Sequence, residues 1–130
     1  ARAAAEPEND EKAFQKHLKK GQQLIEKGNS KAALGELQKA LAIKPRSAAA
    51  LTALGNAHYE LEDNGAAVKA LKSALSVDPR YAHAYVLLGA VYQSQGKRDD
   101  ARAAYEKYLS LEPNGRFARD VQIILKSLSR

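Results

Sequence analysis

The stretch 48–79, AAALTALGNAHYELEDNGAAVKALKSALSVDP, decides the fold. It is rich in strong helix formers, yet a glycine, Gly55, interrupts its first half. A small residue, Ala67, opens its second half, and Pro79 closes it. Each mark recurs 34 residues away on both sides: Gly21, Gly55 and Gly89; Ala33, Ala67 and Ala101; Pro45, Pro79 and Pro113. Leu37, Leu71 and Tyr105 keep the same step, as do Leu24, His58 and Tyr92. A fixed period of this length is the signature of a stacked repeat, in which each unit buries its apolar face only against its neighbours.

Between each glycine and the next proline lie two amphipathic segments. The pattern predicts helices over about 10–27 and 30–43, then 47–61 and 64–76, then 80–95 and 98–111. Ser30, Ser47 and Asn64 are expected N-caps, because their side chains accept from unpaired amides of a first turn. Gly28 and Gly96 fall between paired helices, where a positive φ closes the turn. The prolines stop the second helix of each pair. A mid-helix glycine costs about 1 kcal/mol against alanine, so Gly21, Gly55 and Gly89 require a neighbour that comes close. Ala33, Ala67 and Ala101 are the expected small partners, with the larger residues filling space beside that contact.

Length and composition support this. The 130 residues suit one domain, and 25 of them are Ala. Without Cys there is no disulfide framework, zinc knuckle or thiol nucleophile. No apolar run is long enough for a transmembrane helix. The chain starts without Met and without a signal peptide, and is read as a segment of a longer product of unassigned compartment.

Leu54-Gly55 with His58, Leu88-Gly89 with Tyr92, and then Ala67, Leu71, Ala74, Pro79 and Ala101, Tyr105, Pro113 resemble the tetratricopeptide repeat family. The resemblance covers about residues 14–115, as repeats 14–47, 48–81 and 82–115. It implies an all-α, right-handed superhelix of antiparallel helix pairs, with a concave groove lined by the first helix of each pair. Read through the family, the groove residues are Gln15, Leu18, Gln22 and Ile25; then Ala49, Thr52, Asn56 and Tyr59; then His83, Val86, Ala90 and Gln93. Amides in such a surface suit a peptide backbone, since each donates and accepts. Some family members hold chaperone C-termini in a Lys/Asn/Arg clamp. The matching positions are Leu18, Gln22, Ala53, His83 and Leu87, so the basic clamp is missing and a cochaperone role is disfavoured.

The ends depart from the repeat. Residues 1–11 hold no large apolar side chain and are expected to form a flexible arm, with the repeat domain over 12–130. His17 and Lys20 stand where Leu51/Tyr85 and Leu54/Leu88 stand later, as a terminal repeat with a wettable edge requires. After Pro113, residues 116–130 resemble the family's capping helix, the seventh of the fold. Phe117, Val121, Ile124 and Leu128 form its apolar stripe. The strict 34-residue step puts Arg119, Gln122 and Lys126 at packing positions. A slip of two residues is therefore expected, and the alternative leaves an apolar stripe beside the groove for a partner or a second copy.

Nothing in the sequence gathers chemistry. His17, His58 and His83 lie in three repeats on different helix faces, and no pair has the spacing of a metal site. His58, in the place of Leu24 and Tyr92, reads as a packed residue. Asp99-Asp100 and Glu62-Asp63 lie at helix starts, where caps and helix dipoles account for them. No catalytic residue, metal or cofactor is expected. Residues 14–47 carry a net charge of +6, equal to that of the whole chain. Lys12, Lys16, Lys19 and Lys20 form a basic patch, read as a solvated surface or as a salt-sensitive site for anionic partners. The tyrosines do not interleave with it, which disfavours nucleic acid. The expected function is a non-catalytic scaffold that holds a partner's peptide or helix in the groove. The Ala- and Arg-rich composition suggests a bacterial source, and the family resemblance then points to pilus, secretion or motility assemblies. Self-association through the last helix and binding of anionic partners are the alternatives.

Overall fold

The computed structural model describes residues 7–130. Among the described residues there are seven helices and no strand. They are α1 (Pro7–Glu26), α2 (Ser30–Ile43), α3 (Ala48–Glu60), α4 (Asn64–Val77), α5 (Ala82–Ser94), α6 (Arg98–Leu111) and α7 (Ala118–Leu128). The closest packing is within the pairs α1/α2, α3/α4 and α5/α6. Each pair then stacks on the next in sequence order, through α2/α3 and α4/α5, and α7 closes the stack on α6. The odd-numbered helices also touch one another, α1 with α3 and α3 with α5. The result is an all-helical repeat solenoid.

The mid-helix glycines mark the closest contacts. A Cβ on Gly21 would lie 2.7 Å from Leu37, one on Gly55 2.6 Å from Leu71, and one on Gly89 2.5 Å from the Tyr105 ring. The large side chain of the second helix thus sits directly on the glycine, rather than beside it. The alanines contribute backbone: the Ala33 and Ala67 carbonyls lie 3.6 and 3.3 Å from the same points. Leu37, Leu71 and Tyr105 are almost fully buried, so nothing there can yield cheaply.

The first helix starts earlier than the sequence suggests. Residues 7–11, expected in the arm, form the first turn of α1, and residues 1–6 lie outside the described residues. Proline is tolerated at the first helical position, where its missing N–H goes unused, and Glu8 and Asp10 complement the positive end of the helix dipole. Glu11 then anchors the turn by pairing with Lys44 and accepting from Gln15 at 3.0 Å. Two caps fall one residue before their expected places. Asn29 and Asp63, not Ser30 and Asn64, accept from Ala32 and Ala66, whereas Ser47 caps α3 as expected. The turns between paired helices use a positive φ at Gly28 (81°), at Gly96 (73°) and also at Glu62 (63°).

His17 and Lys20 do not form the uncovered edge. They turn to α2 and meet Glu36, at 2.7 and 3.4 Å. Two and four helices later the Glu36 position is held by the buried Ala70 and Ala104. The uncovered edge lies one helix face away. Ala50, Ala53 and Ala57 of α3 pack on the first pair, and Ala84, Leu87 and Val91 of α5 pack on the second. The same positions of α1 are Lys16, Lys19 and Gln23, all exposed, with no helix pair before them among the described residues.

That face also settles α7. Ala118, Val121 and Leu125 carry it on by a further 34 residues and pack on Ala101, Tyr105 and Tyr108. No slip occurs. Arg119, Gln122 and Lys126 are exposed because they occupy the face that turns to a paired helix, and α7 has no such partner among the described residues. Ile123, in the place of Gly55 and Gly89, is 59% exposed for the same reason. The stripe Phe117, Val121, Ile124 and Leu128 is not an open surface: Val121 and Leu128 are buried, and Phe117 and Ile124 pack on the same cluster. The tip of α7 is held by two arginines of α6. Arg98 and Arg102 donate to the Leu128 carbonyl at 2.7 and 2.8 Å, and Arg98 also reaches the Ser127 and Arg130 carbonyls.

Candidate functional site

The odd-numbered helices and the turn before α7 enclose a hollow of about 340 Å³. Gln22, Ile25 and Glu26 line it from α1, Ala49, Thr52, Ala53 and Asn56 from α3, and Tyr81, His83 and Arg116 from the α5 end and the last turn. Six of the twelve expected groove residues therefore meet here: Gln22, Ile25, Ala49, Thr52, Asn56 and His83. The other six do not. Leu18 is buried in the first core cluster, and Gln15 is exposed but bonded along α1 to Glu11. Val86 and Ala90 are half-buried in α5. Tyr59 belongs to a separate hollow with Glu60, Glu62, Asn64 and Ser94. Gln93 is occupied, its Oε1 accepting from the Tyr105 hydroxyl at 2.6 Å.

Four lining residues lie outside those twelve: Glu26, Ala53, Tyr81 and Arg116. Glu26 follows Gln22 by one helical turn on the same face, so extending that face would have found it. Arg116 continues the 34-residue step from Ala82, and Phe117 continues it from Ala49 and His83. Tyr81 lies just ahead of α5, where helical periodicity carries no signal.

The α5 end of the hollow is aromatic and cationic. The His83 ring stacks flat on Phe117, with centroids 5.3 Å apart and planes 9° apart. Tyr108 meets the same ring edge-on at 6.0 Å, and the Arg116 guanidinium lies 5.3 Å from its centroid. The Tyr108 hydroxyl fixes this corner by accepting from the Phe117 backbone N–H at 2.9 Å. Desolvation, and then the Arg116 charge, push the His83 pKa below its ordinary value. Burial, and then Asp78, raise that of Tyr81, which stays a neutral hydroxyl. In the floor, Thr52 is 1% exposed and its Oγ1 has no hydrogen-bond partner. A buried hydroxyl without a partner carries a desolvation cost.

The other candidate sites are spent or dispersed. Of the basic patch, Lys20 is paired with Glu36, while Lys12, Lys16 and Lys19 remain exposed on α1. Asp63 caps α4, and Asp99 pairs with Arg102 at 3.5 Å. Among the described residues no group of His, Asp or Glu is placed to hold a metal ion, and no helix is long and apolar enough to cross a membrane.

Helix pairs stacked in sequence order around a hollow lined by their first members define an α-helical repeat domain with a concave hollow. The chain belongs to the tetratricopeptide repeat family: a TPR repeat model matches residues 21–62 and 55–96, and a tetratricopeptide repeat model matches residues 82–114. Similar solved structures agree. MamA is 31% identical, with 89% of this chain and 76% of that chain covered and a TM-score of 0.72. The Sgt2 TPR domain from Aspergillus fumigatus is 25% identical over 98% of this chain and 80% of that one, with a TM-score of 0.82. The first TPR of Spaghetti (RPAP3), solved bound to the HSP90 peptide SRMEEVD, shares the fold at 23% identity, covering 91% and 94%, with a TM-score of 0.84. No curated protein matches the sequence.

Proposed function

We propose that this domain is a non-catalytic scaffold that holds an extended peptide or a helix of a protein partner in the hollow between α1, α3, α5 and the α7 turn. One observation carries the reading. Side chains separated by more than 90 residues in sequence, Gln22 and Arg116 among them, line one cavity that none of the described residues fills. The hollow mixes apolar walls (Ile25, Ala49) with polar groups (Gln22, Asn56, the Thr52 hydroxyl), the composition of a site that binds a backbone and selects side chains. Peptide-bound relatives of the same fold support it. The finer setting, a bacterial pilus, secretion or motility assembly, rests on composition and resemblance.

The test is panning of a phage-displayed library of random dodecapeptides against the domain. Selected clones are expected to lose binding to Ala49→Arg, which fills the hollow from an already half-exposed position, while its helical melt stays unchanged. Clones that bind Ala49→Arg as well as the parent domain would remove the groove from the reading.

A further inference from the structure

The hollow has two charges of opposite sign, one from each end of the stack, that form no ion pair among the described residues. Glu26 is the last residue of α1, where the helix dipole adds to its negative charge. Among the described residues no ion pair engages it. Arg116 precedes α7 on the opposite side and pairs with no carboxylate of the described residues; its guanidinium is laid along the Phe117 ring, which leaves its donors facing solvent or a ligand. His83 stands beside it on the same ring, and both line the neighbouring cleft with Tyr108 and Glu112 as well. Between the two charges lie the Asn56 amide and the unpartnered Thr52 hydroxyl.

Unpaired charges facing a shared cavity are a device for choosing a partner and fixing its direction, because a reversed ligand brings like charges together. From this geometry we infer that the groove takes an extended internal segment of a protein partner that carries an acidic side chain toward Arg116 and His83 and a basic side chain toward Glu26. Asn56 bonds the backbone between them. The inference rests on the groove reading above and adds the chemistry and polarity of the occupant. The anchor for the acidic side chain is Arg116, which lies outside the three repeats.

The test uses the same dodecapeptide library, panned separately on the parent domain, on Arg116→Glu, and on the swap Arg116→Glu/Glu26→Lys. Selected sequences are then synthesised with amidated C termini and titrated by fluorescence anisotropy. The parent is expected to enrich an acidic and a basic residue in a fixed order. Arg116→Gln, which keeps the length and polarity of the side chain, is expected to bind these peptides roughly tenfold more weakly, the effect of losing one charge-assisted hydrogen bond. The swap is expected to enrich the reversed order. Enriched peptides blocked by Ala49→Arg but indifferent to Arg116→Gln and Arg116→Glu would overturn the charge inference and leave the groove reading standing. Failure to enrich any peptide that Ala49→Arg blocks would overturn both. Thermal melts of each variant confirm that the domain is folded when the peptides are added.

Discussion

The pairs α1/α2 and α5/α6 solve one packing problem with the same backbone and with different side chains. In both, a mid-helix glycine receives a large residue sixteen positions later, Leu37 on Gly21 and Tyr105 on Gly89. Around that contact the first pair sets charges, with Glu36 held between His17 and Lys20. The last pair sets an aromatic cluster, with the Tyr105 hydroxyl on Gln93 and Tyr108 against Phe117. The difference teaches which requirement is geometric and which is local. Close approach of the backbones is common to every pair, whereas polarity follows from what covers the pair. The first has exposed lysines on its outer face, and the last has α7.

Removing the large residue from each pair gives the largest expected effect. Tyr105→Ala should cost about 4 kcal/mol and Leu37→Ala about 3 kcal/mol, the range for buried aromatic and aliphatic truncations. Urea denaturation checks both, and equal losses would mean that the α7 cluster adds nothing to the Tyr105 contact. Next comes the alkaline limb. Burial, and then Tyr59, raise the Tyr105 pKa from 10.0 to about 12. Below pH 10 the phenol is neutral in both folded and unfolded chains, so its contribution is fully present. As pH rises from 10 toward 12 the unfolded chain releases the proton first, and stability should fall by about 2 kcal/mol. Tyr105→Phe should flatten that decline in a pH series of melts, though it forgoes the bond to Gln93.

A smaller effect separates the turns. Gly28 and Gly96 take a positive φ freely, and Glu62 adopts the same conformation against its Cβ. Glu62→Gly should therefore stabilise the chain by about 1 kcal/mol, whereas Gly96→Glu should destabilise it by a similar amount. The smallest effect belongs to the charged pair. The hydrogen bond from His17, followed by Lys20 and Lys39, holds the Glu36 carboxyl below its ordinary value. That contribution is present above the ordinary carboxyl pKa and is lost as pH falls through the lowered one. Glu36→Ala, which installs the residue found at 70 and 104, should lower the neutral-pH melt slightly and remove this part of the acid decline.

Much of the architecture was legible because one period constrains many residues at once. Gly21, Gly55 and Gly89 announce close contacts by costing a helix something that only a neighbour can return. The caps at Asn29 and Asp63 were misplaced by one residue because Asn-Ser and Asp-Asn offer two acceptors in succession. Glu62 was invisible as a left-handed residue, since its side chain does not report φ. The face of α7 was misread because the rows that meet a paired helix were taken for the rows that meet the preceding pair, and only the latter survive in a lone final helix. The hollow was half legible. Residues inside the helices followed periodicity, but Tyr81 and Arg116 arrive there through the curvature of the stack, a property of how pairs assemble rather than of any one segment.

The grip of Arg98 and Arg102 on the last carbonyls of α7 has a further consequence. Repeat stacks melt from their ends, since an outermost unit has a neighbour on one side only. Here one extremity is riveted: the Tyr108 hydroxyl holds the start of the final helix and two guanidiniums hold its finish. In this chain fraying on warming is therefore expected to begin in α1, and amide exchange should run faster there than in α7, giving these helices a preferred direction of unravelling.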